Sequence, residues 1–200
     1  MRINEIFYSI QGEGVHTGVP MVFIRTSGCN LNCTLCDTKH DTFTEMSLQD
    51  ILTVVNALNI KCKTICLTGG EPTYQGLYKL LTKLTDLGYK IHLETNGFKV
   101  AVYWSFVDWV TLSPKDIFTL KTYSYAAHEI KLVVDTDTDS PWAWEEVIQI
   151  IKEGNRYTPV YLQPADGPHL QTNIEVCVKL CKKYPIFRLG IQAQKYWNIT

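Results

Sequence analysis

The amino-acid sequence predicts an α/β fold, an incomplete, open parallel β/α barrel with a hairpin-like N-terminal extension. Strand-like and helix-like apolar patterns alternate along most of the chain, which implies right-handed βαβ units and a parallel sheet. At 200 residues the chain is short of the about 250 that a closed (β/α)8 barrel takes. Four polar motifs rich in glycine or proline also fall where predicted strands end, the edge on which parallel barrels place their sites. A hydrophobic content of 46% suits one domain over residues 1–200 with a sizeable core. There is no internal repeat, low-complexity tract or linker.

Residues 3–18 read as the hairpin-like extension and 21–26 as the first barrel strand. A helix from Ser47 carries Leu48, Ile51, Leu52, Val55 and Leu58 at helical spacing, and Ser47 with Asp50 has the form of a capping box. Residues 64–68 form the second strand. A helix with Leu77, Leu80, Leu81, Leu84 and Leu87 follows, closed by Gly88 at the C′ position. Residues 90–94 form the third strand. The aromatic-rich stretch 98–108 is weakly periodic, so its state stays open. The fourth strand, 109–112, leads into a long loop, and 128–134 is the fifth. Ser140 and Pro141 suit an N-cap and first helical turn, with Glu145 and Glu146 close behind and Gly154 as the stop. A sixth strand (159–163), a helix over 171–184 with Ile174, Cys177, Val178 and Cys181 inward, and a last strand (187–192) complete the chain.

The net charge of −1 comes from 19 basic and 20 acidic residues. That mixture argues against a nucleic-acid partner or an anionic membrane surface, and for a small-molecule substrate. The first residues hold no uninterrupted apolar leader, and no segment approaches bilayer-spanning length. A soluble, cytoplasmic protein is expected. Seven cysteines, an odd number and mostly clustered, fit a reducing compartment better than a secreted disulfide framework.

Three of them form the run Cys29-Asn-Leu-Asn-Cys33-Thr-Leu-Cys36. A tight loop with three thiolates can hold three irons of a [4Fe–4S] cubane and leave the fourth iron open. Zinc is the alternative, because His40 follows Cys36 at a spacing that would complete a Cys3His site. The four strand-end motifs are Thr68-Gly69-Gly70-Glu71-Pro72, Glu94-Thr95-Asn96-Gly97, Ser113-Pro114-Lys115 and Gln163-Pro164-Ala165-Asp166-Gly167-Pro168. Each has a bland reading: Gly69-Gly70 as a turn, Lys115 as a solvated lysine, Asp37-Thr38 as a side-chain-capped turn. The cysteine loop follows the first strand onto the same edge, and a lone zinc staple would not need that company. Cys62, Cys66, Cys177 and Cys181 read as core residues, with an auxiliary cluster as the alternative. His16, His92, His128 and His169 are scattered and receive no catalytic role.

Together the cysteine triad and the Gly69-Gly70-Glu71-Pro72 step resemble the radical S-adenosylmethionine (SAM) superfamily. Within it, Tyr8-Ser-Ile-Gln-Gly-Glu-Gly14, Phe23-Ile-Arg25, Gly28-Cys29-Asn30-Leu31, Cys36-Asp37-Thr38, the four strand-end motifs and the ending Gln192…Lys195-Tyr196 resemble the 7-carboxy-7-deazaguanine synthase family. The match runs from Ile6 to the C-terminus. It implies a radical SAM lyase that converts 6-carboxy-5,6,7,8-tetrahydropterin to 7-carboxy-7-deazaguanine with loss of ammonia, on the route to queuosine and related deazapurines. The open iron would chelate SAM, an injected electron would release a 5′-deoxyadenosyl radical, and SAM would be regenerated.

Carried over residue by residue, the resemblance places Cys29, Cys33 and Cys36 on the cluster and Thr38 on Mg2+. It assigns the pterin to Ile10, Gln11, Gly12, Glu13, Arg25, Thr68 and Thr200. Arg25 would pair with the substrate carboxylate, and Thr200 would act through its own α-carboxylate. SAM would meet Leu35, Cys36, Asp37, Gly70, Glu71, Ser113, Pro114, Lys115, Gln163, Pro164, Ala165 and Asp166. Flavodoxin or ferredoxin as electron donor and a homodimer are implied as well. Two departures stand out. Gln194 occupies a position where many members have histidine, and the cysteine loop lacks the long insertion of some members. A glycyl-radical activase, which shares the cysteine and GGEP patterns, and a non-enzymatic zinc-stapled module are the rival readings.

Overall fold

The computed structural model describes residues 1–34, 36, 38, 41–58, 61–137, 142–154 and 157–199. The chain enters on β1 (Arg2–Ile10), passes a 3-10 turn at Gly14–His16 and returns antiparallel on β2 (Pro20–Thr26), with Ile6 opposite Ile24. The N-terminal hairpin is therefore larger than residues 3–18. Its second arm is the first barrel strand itself. The short β3 (Thr44–Glu45) pairs with the outer edge of β1.

From there strands and helices alternate: α1 (Leu48–Ala57), β4 (Thr64–Gly69), α2 (Tyr78–Asp86), β5 (Lys90–Thr95), β6 (Trp109–Leu112), α3 (Ile117–Tyr123), β7 (Glu129–Val134), α4 (Trp144–Glu153), β8 (Val160–Pro164), α5 (Leu170–Lys183), β9 (Phe187–Leu189) and α6 (Ala193–Trp197). One sheet takes the order β3-β1-β2-β4-β5-β6-β7-β8-β9, parallel from β2 to β9. Its two edges stay unpaired with each other, so the barrel is open.

Local chemistry sets the ends of the elements. Ser47 accepts from the Asp50 amide at 3.1 Å while the Asp50 carboxylate accepts from the Ser47 amide at 2.9 Å, the reciprocal capping box that starts α1. Past α2, Gly88 adopts φ +76°, left-handed backbone that terminates a helix at little steric cost. Three expectations need correction, and the stretch left open takes a definite form. The long loop after β6 contains α3, capped by Asp116, whose carboxylate accepts from the Thr119 amide at 2.7 Å; seven residues are too few to show a helical period. Residues 98–108 hold two 3-10 turns, Val100–Val102 and Trp104–Phe106. Helix α4 starts at Trp144 with Ala143 as its cap, later than expected, although Glu145 and Glu146 do sit in its first turn. The Ser140 and Pro141 assignment lies outside the described residues. The last strand stops at Leu189, and α6 follows.

The sheet separates two environments by residue parity. Val22, Ile24, Ile65, Leu67, Ile91 and Leu93 point to the helices and join Ile51, Val55, Leu80, Leu81 and Leu84 in one core. A second core joins Leu112, Ile130, Leu132, Val134, Val160 and Leu162 to Val147, Ile150, Ile151 and Cys177. Burying each large aliphatic side chain contributes about 1.5–3 kcal/mol. On α5 the inward stripe is Asn173, Val176, Cys177, Leu180 and Cys181 rather than Ile174 and Val178. Cys66 and Cys177 are buried, whereas Cys62 and Cys181 are half-buried.

Candidate active site

The opposite parity faces the barrel interior, apolar at one end and polar at the other. Met21, Phe23 and Cys66 pack with Phe7 at the apolar end. Toward the C-terminal strand ends, Arg25, Thr68, Glu94, Lys131 and Gln163 open into a cleft of about 1020 Å³. That volume lies at the top of the usual ligand-pocket range of about 300–1,000 Å³ and leaves room for two small molecules. Cys29, Cys33 and Cys36 line one part of the same cleft.

The cysteine loop leaves β2 and packs beneath the loop after β4. The Gly70 amide donates to the Thr26 carbonyl at 3.1 Å, and the Glu71 amide to the Gly28 carbonyl at 2.9 Å. Gly69 is required there: its φ is +131°, and a Cβ would run into the Thr26 backbone. Glu71 is fully buried. Its carboxylate accepts from the Thr73 amide (3.0 Å) and hydroxyl (2.6 Å), the Thr95 hydroxyl (2.8 Å) and the Asn96 amide (2.7 Å). Burial raises its pKa, and these hydrogen bonds pull the other way. The expectation that Glu71 meets SAM is therefore corrected: it is buried behind the cleft, where its carboxylate ties two strand-end loops together. Asn96, from the second of those loops, aims its Nδ2 at the Cys29 sulfur (3.7 Å) and at the Asn30 Oδ1 (3.0 Å).

The chemistry of the donor set fits an iron–sulfur cluster. All three cysteines are free thiols, and the Leu31 amide already donates to the Cys29 sulfur at 3.4 Å. Among the described residues no three His, Cys, Asp or Glu side chains are grouped to share one metal ion. His40, the fourth zinc candidate, lies outside the described residues.

Around the cleft, the Lys115 Nζ donates to the Ser113 Oγ at 2.7 Å and carbonyl at 3.0 Å, while burial lowers its pKa. Pro114 and the run Gln163, Pro164, Ala165 and Asp166 form the adjoining wall. Asp166 accepts from Lys195 at 2.6 Å. Buried Asn173 holds this wall from behind. Its Nδ2 donates to the Ala165 carbonyl (3.0 Å) and to Asp135 (3.3 Å), and its Oδ1 accepts from the Thr136 amide (2.9 Å) and hydroxyl (2.8 Å).

At the polar floor, Lys131 bridges Glu13 (2.7 Å) and Glu94 (3.1 Å). Gln11 donates to Glu94 at 2.8 Å; Gln192 and Gln194 donate to Glu13 at 3.1 and 3.0 Å. Burial would raise the Glu13 pKa, yet the Lys131 charge and the three donors outweigh it and hold the group at about 2. Burial lowers the Lys131 pKa, but its carboxylate neighbours drive it well above the ordinary lysine value. Glu129, beside them, is raised by burial. Among the described residues, the buried Gln194 Oε1 has no hydrogen-bond partner. Gly12 makes this possible, since a Cβ there would collide with Gln194.

Comparison with known proteins agrees with this layout. Residues 23–120 match the family model of the Radical SAM superfamily. The 7-carboxy-7-deazaguanine synthase of Bacteroides thetaiotaomicron is 36% identical over 99% of this chain and 98% of its own length. That of Haemophilus influenzae is 38% identical over 99% and 93%. The chain belongs to the 7-carboxy-7-deazaguanine synthase family. A crystal structure of QueE from Escherichia coli superposes with a TM-score of 0.70 at 27% identity, covering 96% of this chain and 93% of that one.

Of the residues the family resemblance singles out, Glu13, Arg25, Cys29, Cys33, Cys36, Thr38, Thr68, Gly70, Ser113, Pro114, Lys115, Gln163, Pro164, Ala165 and Asp166 line the one cleft. Gln11 and Gly12 stand behind it, holding Glu94 and the Ala193 amide. Ile10 is exposed at the end of β1 and does not line the cleft, because the strand alternation turns it away; its assignment is corrected. Leu35, Asp37 and Thr200 lie outside the described residues. Lys131 and Asn173 were missed, and Glu94 and Asn96, singled out only within a strand-end motif, were given no role of their own. For Glu94 and Lys131 a signal existed: each alternates with aliphatic residues in a strand due to be covered on both faces.

Proposed function

We propose that this protein is a 7-carboxy-7-deazaguanine synthase, acting as one domain on 6-carboxy-5,6,7,8-tetrahydropterin and releasing ammonia. The observation that carries this is one cleft with three thiols on its wall and a hydrogen-bonding floor of Glu13, Glu94 and Lys131. Cys29, Cys33 and Cys36 would hold a [4Fe–4S] cluster, and Thr38 would offer an oxygen to Mg2+. When bound, the reduced cluster with SAM supplies a one-electron cleavage that starts hydrogen abstraction from the pterin.

The protein's own groups bind and orient. Ser113, Pro114, Lys115 and the 163–166 wall seat SAM beside the thiols. The Glu13 and Glu94 carboxylates, and the Gln194 carbonyl, accept from the N–H edge of the pterin. Arg25 receives its carboxylate. Lys131, with Gln192 and Gln194, keeps Glu13 ionised, so that carboxylate remains an acceptor throughout the working pH range. The family resemblance adds Leu35 and Asp37 for SAM, Thr200 for the pterin, a homodimer, and flavodoxin or ferredoxin as donor in the cytoplasm. No described helix is long and apolar enough to cross a membrane.

The test is an anaerobic assay of the reconstituted protein with carboxytetrahydropterin, SAM, Mg2+ and dithionite. Carboxydeazaguanine and ammonia should appear in equal amounts, with little net SAM consumption. Cleavage of SAM with the pterin left intact would sink the proposal.

A further inference from the structure

Resting on the reading of Arg25 as the receiver of the substrate carboxylate, we infer that Glu5 is a positioning residue that presets how Arg25 receives it. Glu5 and Arg25 face each other across the β1–β2 ladder, next to a register shift between Ile3 and Glu5. Both line the cleft. The Glu5 Oε1 accepts from the Arg25 Nε at 2.6 Å. Among the described residues, the two terminal guanidinium nitrogens have no hydrogen-bond partner. Beneath the guanidinium, the Phe7 ring lies with its centroid 5.5 Å from Cζ, itself stacked on Phe23 at 5.1 Å.

A guanidinium can meet a carboxylate along its side edge, through Nε and one Nη, or end-on through both Nη atoms. Glu5 occupies the side edge, so the end-on fork is what the cleft presents. Phe7 fixes the plane of that fork. Arginine carries large rotamer freedom, and a side chain held before the ligand arrives loses less on binding. Glu5 also opposes an anionic ligand by like charge, but it is half-exposed and solvent screens that repulsion. Ordering through the hydrogen bond therefore dominates.

Glu5→Ala should raise the KM for carboxytetrahydropterin about tenfold, the worth of ordering one long side chain. The kcat, the KM for SAM, the cluster absorption and the melting temperature should hold. Glu5→Gln keeps an acceptor for Nε and should stay within about threefold of wild type. A tetrahydropterin lacking the carboxylate, used as a competitive inhibitor, should bind wild type and Glu5→Ala equally. Three outcomes overturn the inference: an unchanged KM in Glu5→Ala, equal effects of the Ala and Gln variants, or equal weakening of the carboxylate-free inhibitor. Arg25→Ala separates the two levels. If that variant keeps the wild-type KM, the Arg25 reading fails. If it raises KM while Glu5→Ala does not, only the role of Glu5 is lost.

Discussion

Replacing Lys131 by methionine removes the cation from the floor of the cleft while keeping an unbranched stem. The Lys131 side chain is 8% exposed, and those of Glu13 and Glu94 are 16% and 23% exposed. Two mostly buried carboxylates would lose their shared partner. Breaking a buried pair by deleting one member costs about 3–5 kcal/mol; for a chain of this size, at about 2–4 °C per kcal/mol, that is a melting temperature lower by roughly 10 °C. The loss should depend on pH. In the wild type, Glu13 titrates near 2 instead of its ordinary 4.5, so its carboxylate contributes stability that is present above about 4.5 and lost as pH falls toward 2. In Lys131→Met burial remains and the compensating charge is gone, so the Glu13 pKa should move above 4.5. The variant can then relieve its penalty by taking up a proton. Circular dichroism melts should show the largest deficit near pH 8 and a smaller one near pH 5. Glu13→Gln combined with Lys131→Met should recover part of the loss, because removing the charges together is far less costly than removing one. A deficit under 2 °C at neutral pH, or one unchanged between pH 5 and 8, would refute this account of the floor.

Three further outcomes are expected. Cys33→Ala should abolish both the brown cluster absorption after anaerobic reconstitution and all turnover, since two thiolates do not retain the cubane; full activity in that variant would remove the radical chemistry. Asn173→Ala deprives the Ala165 carbonyl and the Thr136 amide of their partners, so it should cost about 1–3 kcal/mol and raise the KM for SAM more than that for the pterin, and equal shifts in both would mark general loosening. His92 is held near 4 by burial, then by its neighbours His16 and His128, so the unfolded chain binds the extra proton first and stability should fall as pH drops from about 6.5 toward 4. Discounted for partial solvation, that is about 1.5 kcal/mol, and His92→Leu should flatten this part of the pH–stability profile if the reasoning holds.

Most of the barrel was legible because its signals are local. The aliphatic period of α2, the Ser47–Asp50 box and Gly88 each act within one turn of chain. What escaped was short or set from afar. Helix α3 has a single buried apolar residue, Leu120, so no period could be read. The pairing of β1 with β2 is a tertiary choice, and β1 alone carries no mark of its partner. On α5 the face that turns inward is decided by Asn173, which the loops after β7 and β8 saturate with hydrogen bonds; by hydropathy alone an asparagine counts against burial.

The candidate site divides along the same line. Its wall is made of contiguous motifs at strand ends, and a motif is visible without knowing its neighbours. Its floor is made of single side chains from different strands, which only the barrel's parity brings together. Ile91-His92-Leu93-Glu94 and Ile130-Lys131-Leu132 alternate strictly, and alternation by itself reads as a strand with one face in water. Both strands lie inside a parallel sheet, between neighbours on either side, where two apolar faces are the rule. A charged residue on the inner face of such a strand must be paired or face a polar cavity, because an isolated buried charge is too costly to keep. That argument would have placed Lys131 at a site, and given Glu94 a role beyond its motif, before any coordinates. It also explains why Glu71 misled: a glutamate inside a ligand-binding motif invites a ligand role, yet its four hydrogen bonds show that the motif uses it to hold two loops in register.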